Sequence, residues 1–182
     1  VLNPAPTVVL GQVVTAGVTA LQPGVLSTGS VFTQLSTNAV NGAVVSLKSN
    51  ATGCGGLMRA GAPAACDIAP ALATDVLAGD AKFGVKLSAV SNGYEETPVP
   101  TDFTGTLQPA AGSIYNTSTY SMNYVSGDIT GITGVYGDKF IDSNSAPVSN
   151  KNMELTFAAS VNNSTPAGSY SADLSLIATG KF

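Results

Sequence analysis

The residues able to carry chemistry are few. The chain has two cysteines, eleven Asp and Glu, seven Lys and Arg, and no histidine. Without an imidazole, Ser-His-Asp and Cys-His catalysis fall away, and so does the commonest transition-metal ligand. Cys54 and Cys66 stand alone in a Gly/Ala/Pro-rich stretch, and two sulfurs without further Cys or His cannot complete a structural zinc site. A disulfide between them would close a loop worth about 3 kcal/mol through the unfolded state. Two free buried thiols are the competing reading; the disulfide is preferred because export and oxidation go together.

Carboxylates are the remaining acid-base material: Glu95 with Glu96, Asp138 with Asp142, and the isolated Glu154 and Asp173. Glycoside hydrolysis needs two of them about 5–10 Å apart in a cleft. Aromatic platforms usually flank such a pair, and the chain has no Trp. No catalytic residue is assigned, and an enzyme is not expected. The run Gly53-Cys54-Gly55-Gly56 lacks the Lys-Ser/Thr ending of a phosphate-binding loop and reads as plain loop. Asp128, Asp138, Asp142 and Asn144 supply hard oxygen ligands of the kind Ca²⁺ takes. Against this reading, Lys139 brings a positive charge, the spacing is not that of an EF-hand, and Asp and Asn populate turns for backbone reasons. No other cofactor is expected. Asn50, Asn116, Asn162 and Asn163 head N-glycosylation acceptor patterns, which arise by chance in a chain this rich in Asn, Ser and Thr.

The elements that must position these residues read as strands. Apolar Val, Ala, Leu and Ile interleave with Ser, Thr, Asn and Gly, a strand-and-turn vocabulary, and charge is too scarce for amphipathic helices. Strands are expected over Ser30 to Thr37 and Ala43 to Ser49, joined at the hairpin dipeptide Asn41-Gly42. Lys82 to Val90 alternates, with Phe83, Val85, Leu87 and Ala89 inward. A strand or hairpin is expected within Ile114 to Val125. Met153 to Val161 and Ser169 to Thr179 read as a closing hairpin, with Leu174, Leu176 and Ala178 inward and with Glu154 and Asp173 outward, where charge discourages edge pairing. Ala69 to Leu77 favours one short helix capped by Asp67. The expected fold is all-β, an antiparallel two-sheet sandwich of immunoglobulin-like or jelly-roll topology with that one helix. A closed barrel is the alternative. Residues 1–22 form an N-terminal extension with an extended strand, and residues 23–182 form the sandwich domain.

Net charge −4 and a pI near 4.4, with scattered basic residues, argue against a nucleic-acid partner. No apolar run is long enough for a membrane span. A first residue of Val1 in place of Met fits removal of an export signal, so the expected location is extracellular, at the cell surface. A surface rich in uncharged Thr, Ser and Asn suits packing against further copies.

Three stretches carry a resemblance: Leu35 to Leu47, Lys82 to Leu87, and Thr165-Pro166-Ala167-Gly168-Ser169-Tyr170-Ser171-Ala172-Asp173-Leu174 with Phe182 beyond. Together they resemble secreted bacterial β-sandwich surface proteins whose chains finish on a TPAG-Y-S turn and strand. The resemblance implies an exported subunit of a surface layer, pilus or matrix fibre, and it transfers no catalytic residues. The cysteines depart from the chaperone–usher pilin pattern, which puts dependence on a periplasmic chaperone in doubt. On the residues themselves, Val8, Leu10, Val13 and Val14 form a β segment led by prolines, able to donate alternate side chains to a neighbouring copy. An ordinary first strand is the competing reading. A second class of function is a glycan- or host-binding adhesin module with Tyr115, Tyr120, Tyr124 and Tyr136 as a stacking surface. Tyrosines on a sandwich are more often core or cross-strand partners.

Overall fold

A computed structural model describes residues 6–15, 17–50, 54–61, 66–92, 102–123 and 137–182. Among the described residues the chain forms β1 (Gln12–Thr15), β2 (Val18–Ala20), β3 (Ser27–Thr37), β4 (Ala43–Ser49), β5 (Met58–Arg59), β6 (Ala69–Pro70), β7 (Lys82–Asn92), β8 (Gln108–Pro109), β9 (Asp138–Asp142), β10 (Val148–Ser160), β11 (Tyr170–Ser171) and β12 (Leu174–Gly180). The fold is all-β. One four-stranded sheet runs β3-β10-β7-β6 and another β12-β4-β9-β8, while β1-β2 and β11-β5 make two small pairs. All pairings are antiparallel except β6 with β7.

The two larger sheets share one core. Phe83, Val85, Leu155 and Phe157 from the first meet Val45, Leu47, Phe140 and Ile141 from the second in a single buried cluster. Each such side chain contributes roughly 1.5–3 kcal/mol on leaving water. The period-2 expectation holds along β10, where Met153, Leu155, Phe157 and Ala159 are buried, and Val161 just beyond it is buried too. On the opposite side of β10, Ala158 is also buried, because Ala71 and Val76 with Leu26 and Tyr120 make a satellite cluster on the outer face.

Several expectations are corrected. No helix forms over Ala69 to Leu77. Pro70 lies in β6, and Thr74 Oγ1 donates to the Ala71 carbonyl at 2.9 Å. Asp75 Oδ1 accepts from the amides of Val76 and Tyr120 at 2.9 and 2.8 Å. Local side-chain bonds of this kind compete with helix, and they tether the segment to Tyr120 instead. Asp67 caps nothing; it faces Arg59 and Tyr170. The last two long strands are not a hairpin, since β10 pairs with β3 and β7 whereas β12 pairs with β4. The Asn41-Gly42 turn likewise joins β3 and β4 without pairing them, carrying the chain from one sheet to the other, with Gly42 at φ +76°. Ala89 points outward opposite Glu154, because a bulge at Ser88 shifts the phase of β7. Within Ile114 to Met122 only the isolated bridges of Ser121 with Val85 and Met122 with Leu72 form, and the rest of that expected strand is loop.

Candidate functional site: an apolar cleft between two edge strands

The two large sheets differ sharply at their two sides. On one side they end in β6 and β8, two residues each, and both contain a proline, Pro70 and Pro109. Short, proline-bearing edges resist further pairing. On the other side they end in β3 and β12, eleven and seven residues long, with no charged residue and no proline in either. Glu154, expected to guard an edge, sits in β10 inside its sheet.

Between these two unguarded edges lies a cleft of about 960 Å³. Phe83 and Phe157, stacked 6.0 Å apart, lie along it with Leu47, and Val31 of β3 and Leu174 and Leu176 of β12 flank it. Leu176, expected to be buried, is 38% exposed, and no described strand lies beyond β12. Asp173 is the one charged residue among the described lining. The polar part of the described lining is Thr, Ser, Asn and Tyr around that lone carboxylate, so this surface offers alternate apolar side chains a seat and offers no acid-base pair.

Residues 6–10 form part of its wall. Val8 and Leu10 are half-buried against the core cluster. They lie over Gly29, where a Cβ would stand 2.7 Å from Val8 Cγ1 and 3.3 Å from Leu10 Cδ2. Inward positions on β3 are odd-numbered, so Gly29 leaves a notch in the inner face of the sheet. Residues 6–10 form no ladder with β3 or β12. The expected single run from Val8 to Val14 breaks at Gly11, φ +134°, where the chain turns into β1, and Val13 projects 74% exposed. The Val14 side chain lies outside the described residues.

The wall opposite this segment is the closing turn, and the cysteine loop holds it. Cys54 and Cys66 are bonded. Inside their loop Leu57 bridges Ile68, and Gly56 approaches so closely that a Cβ there would stand 2.0 Å from the Ile68 carbonyl oxygen. Next in the chain, β5 pairs with β11. Arg59 Nε approaches Asp67 Oδ2 at 2.9 Å as an ion pair without an aligned N–H···O bond. The Tyr170 hydroxyl donates to the Pro166 carbonyl at 2.5 Å and lies 3.4 Å from Asp67 Oδ2. Desolvation and the Asp67 charge both raise the Tyr170 pKa, so the phenol keeps the proton it donates.

Of the oxygen ligands considered for Ca²⁺, the described Asp138 and Asp142 face opposite ways. A bulge at Phe140 in the β4-β9 ladder puts Asp138 inward and Asp142 outward. Asp142 is engaged by Lys181 Nζ at 2.9 and 3.1 Å and by the Asn144 amide at 2.7 Å. Asn144 accepts from Gln108 at 3.4 Å. Asp128 lies outside the described residues. No group of three or more metal-ligating side chains occurs among the described residues. The two described tyrosines of the proposed stacking surface are engaged separately: Tyr115 is buried edge-on to Phe140 at 4.8 Å, and Tyr120 lies under Lys86, 4.4 Å from its ring centre. Tyr124 and Tyr136 lie outside the described residues.

Asp138 accepts from the Asn123 side-chain amide, and the Asn123 backbone N–H donates to the Tyr115 hydroxyl at 3.3 Å. Burial raises the pKa of Asp138, partly offset by Asn123, and burial with the nearby Asp138 charge raises that of Tyr115. A raised carboxylate pKa means that the folded state holds a proton the unfolded state has released. Asp138 therefore lowers stability as pH rises through and above the ordinary carboxylate range. Asp138→Asn keeps the acceptor for Asn123, so it should melt higher than the native chain at pH 7, with the difference closing toward pH 3. Thermal melts across that range check this; a pH-independent difference would refute it.

Comparison with protein-family models, curated proteins and solved structures returned no match to this chain. No helix among the described residues is long and apolar enough to cross a membrane.

Proposed function

We propose that the protein is a structural, non-catalytic subunit of an extracellular assembly, a pilus, fibre or surface layer, in which the N-terminal segment of one copy adds as a strand to the cleft of the next. One observation carries this reading: an apolar cleft stands open between two long, charge-free edge strands, while the opposite edges are closed by prolines. Strand addition uses such a surface fully, since backbone groups complete a ladder and alternate side chains fill the groove. Val8 and Leu10 already line it within one chain, packed against the core cluster and over Gly29 without belonging to a described strand. Exchange between copies keeps those contacts and adds backbone pairing with the edge of β12 that no described strand occupies. A disulfide fits an oxidising, extracellular setting. Of the two sandwich topologies, the jelly roll is favoured, since the consecutive strands β3 and β4 lie in different sheets, as do β10 and β12.

Deleting residues 1–10 tests the reading. The shortened chain should fold, by circular dichroism and a cooperative melt, and form no polymer under electron microscopy where the full chain does. Continued polymerisation sinks the idea. Outright unfolding sinks it as well, because the segment would then be an ordinary part of its own domain.

A further inference from the structure

We infer that the free edge of β3 is a second self-association surface, at which the β3 strands of two copies pair antiparallel about a two-fold axis through Phe32. It is separate from the cleft, because Val8 and Leu10 sit on the inner face of β3 and not along its edge. β3 hydrogen-bonds on one side, to β10, and no described strand lies along its other side. Phe32 is its middle residue, points outward, and is 71% exposed.

The occupant follows from self-complementarity. A two-fold pairing sets each position against its mirror, so any charge on the strand would face a like charge or its near neighbour. β3 has none. With the axis at Phe32 all eleven residues pair: the two Phe32 rings meet, Ser30 of each copy faces Gln34 of the other, Val31 faces Thr33, and Gly29 faces Leu35, small against large. Glu154 stands beside Phe32 in β10. Across the axis the two Glu154 carboxylates lie three strand spacings apart, about 14 Å, beyond the screening length at ordinary salt. The product is one continuous eight-stranded sheet that covers the exposed phenylalanine. A polymer formed by strand exchange would thereby acquire a lateral contact.

Phe32→Cys in the full chain tests the axis directly. Directly opposed residues bring their Cβ atoms to about 4.5–5.5 Å, and the native cysteines are already paired. Mild oxidation should convert the variant to a covalent dimer, while Val40→Cys, exposed but beyond the end of β3 and eight positions from the axis, should not. Phe32→Lys and Phe32→Glu should each lose the β3 contact, and an equimolar mixture should regain it in a salt-sensitive form by sedimentation. Absence of the crosslink in the Phe32→Cys variant, or charged variants that associate unchanged, or a mixture that fails to recover, would each overturn the proposal. The two readings fail separately. Without strand exchange the crosslinked dimer remains and long polymers vanish; without β3 pairing the polymers remain and the crosslink vanishes.

Discussion

A mixture of two proteins, each unable to exchange strands alone, should form a strand-exchanged one-to-one complex: Gly29→Val, and the chain lacking residues 1–10. Gly29 forms the notch under Val8 and Leu10, and a β-carbon there would stand 2.7 Å from Val8. Its backbone is not in the left-handed region, so valine brings no conformational strain and suits a strand. The substituted chain therefore keeps its fold, expels its own segment, and blocks its cleft to every other copy. The truncated chain keeps an open cleft and has nothing to donate. Seating Val8 and Leu10 is worth roughly 3–6 kcal/mol before ordering costs are subtracted, about 10²–10⁴-fold in affinity. Expelled residues should also become cleavable by protease in the Gly29→Val protein alone. Native mass spectrometry reads the complex, and failure of the mixture to pair would refute exchange at this seat.

Replacing Phe140 by alanine should lower stability by about 3–5 kcal/mol, the largest effect expected of a single core position. Phe140 is fully buried, sits edge-on to Tyr115 at 4.8 Å, and occupies the bulge of β9 against β4. The bulge fixes its neighbours, so the cavity cannot collapse by a simple shift of register. Tyr115 would lose its partner while still bound to Asn123, which bonds Asp138. Chemical denaturation measures the loss. A change under about 1 kcal/mol, the size of a tolerated core swap, would mean that the two sheets repack freely across this point.

How much of this was legible in the sequence varied by element. The all-β class and the inward faces of β10 followed from alternation, because a buried strand in a two-sided sheet shows its period directly. The disulfide followed from cysteine arithmetic. Pairing partners did not. Asn41-Gly42 reads as a hairpin turn whether or not the flanking strands pair, since the dipeptide tolerates the positive φ that many tight reversals use, and here the chain crosses between sheets. The helix expected over Ala69 to Leu77 failed because propensity cannot anticipate that Asp75 binds the distant Tyr120 amide. Asp138 and Asp142 share a face by period 2 alone, and a bulge, invisible in composition, sets them on opposite ones. The cleft itself left a faint signal: two prolines at the ends of short segments, and a charge-free Ser27 to Thr37.

The crossing at Asn41-Gly42 also fixes an order in time. Neither β3 nor β4 can pair with the other, and β3 waits for β10, its Ser30 meeting Thr156 only 126 positions later. β4 waits for β9 and β12. A chain emerging from its N-terminus therefore has no long antiparallel pair to form until its last third has arrived, and such distant pairings form slowly. During that interval the uncharged β3 is exposed to every other nascent copy, so the folding subunit and the assembling subunit present the same strand at different ages.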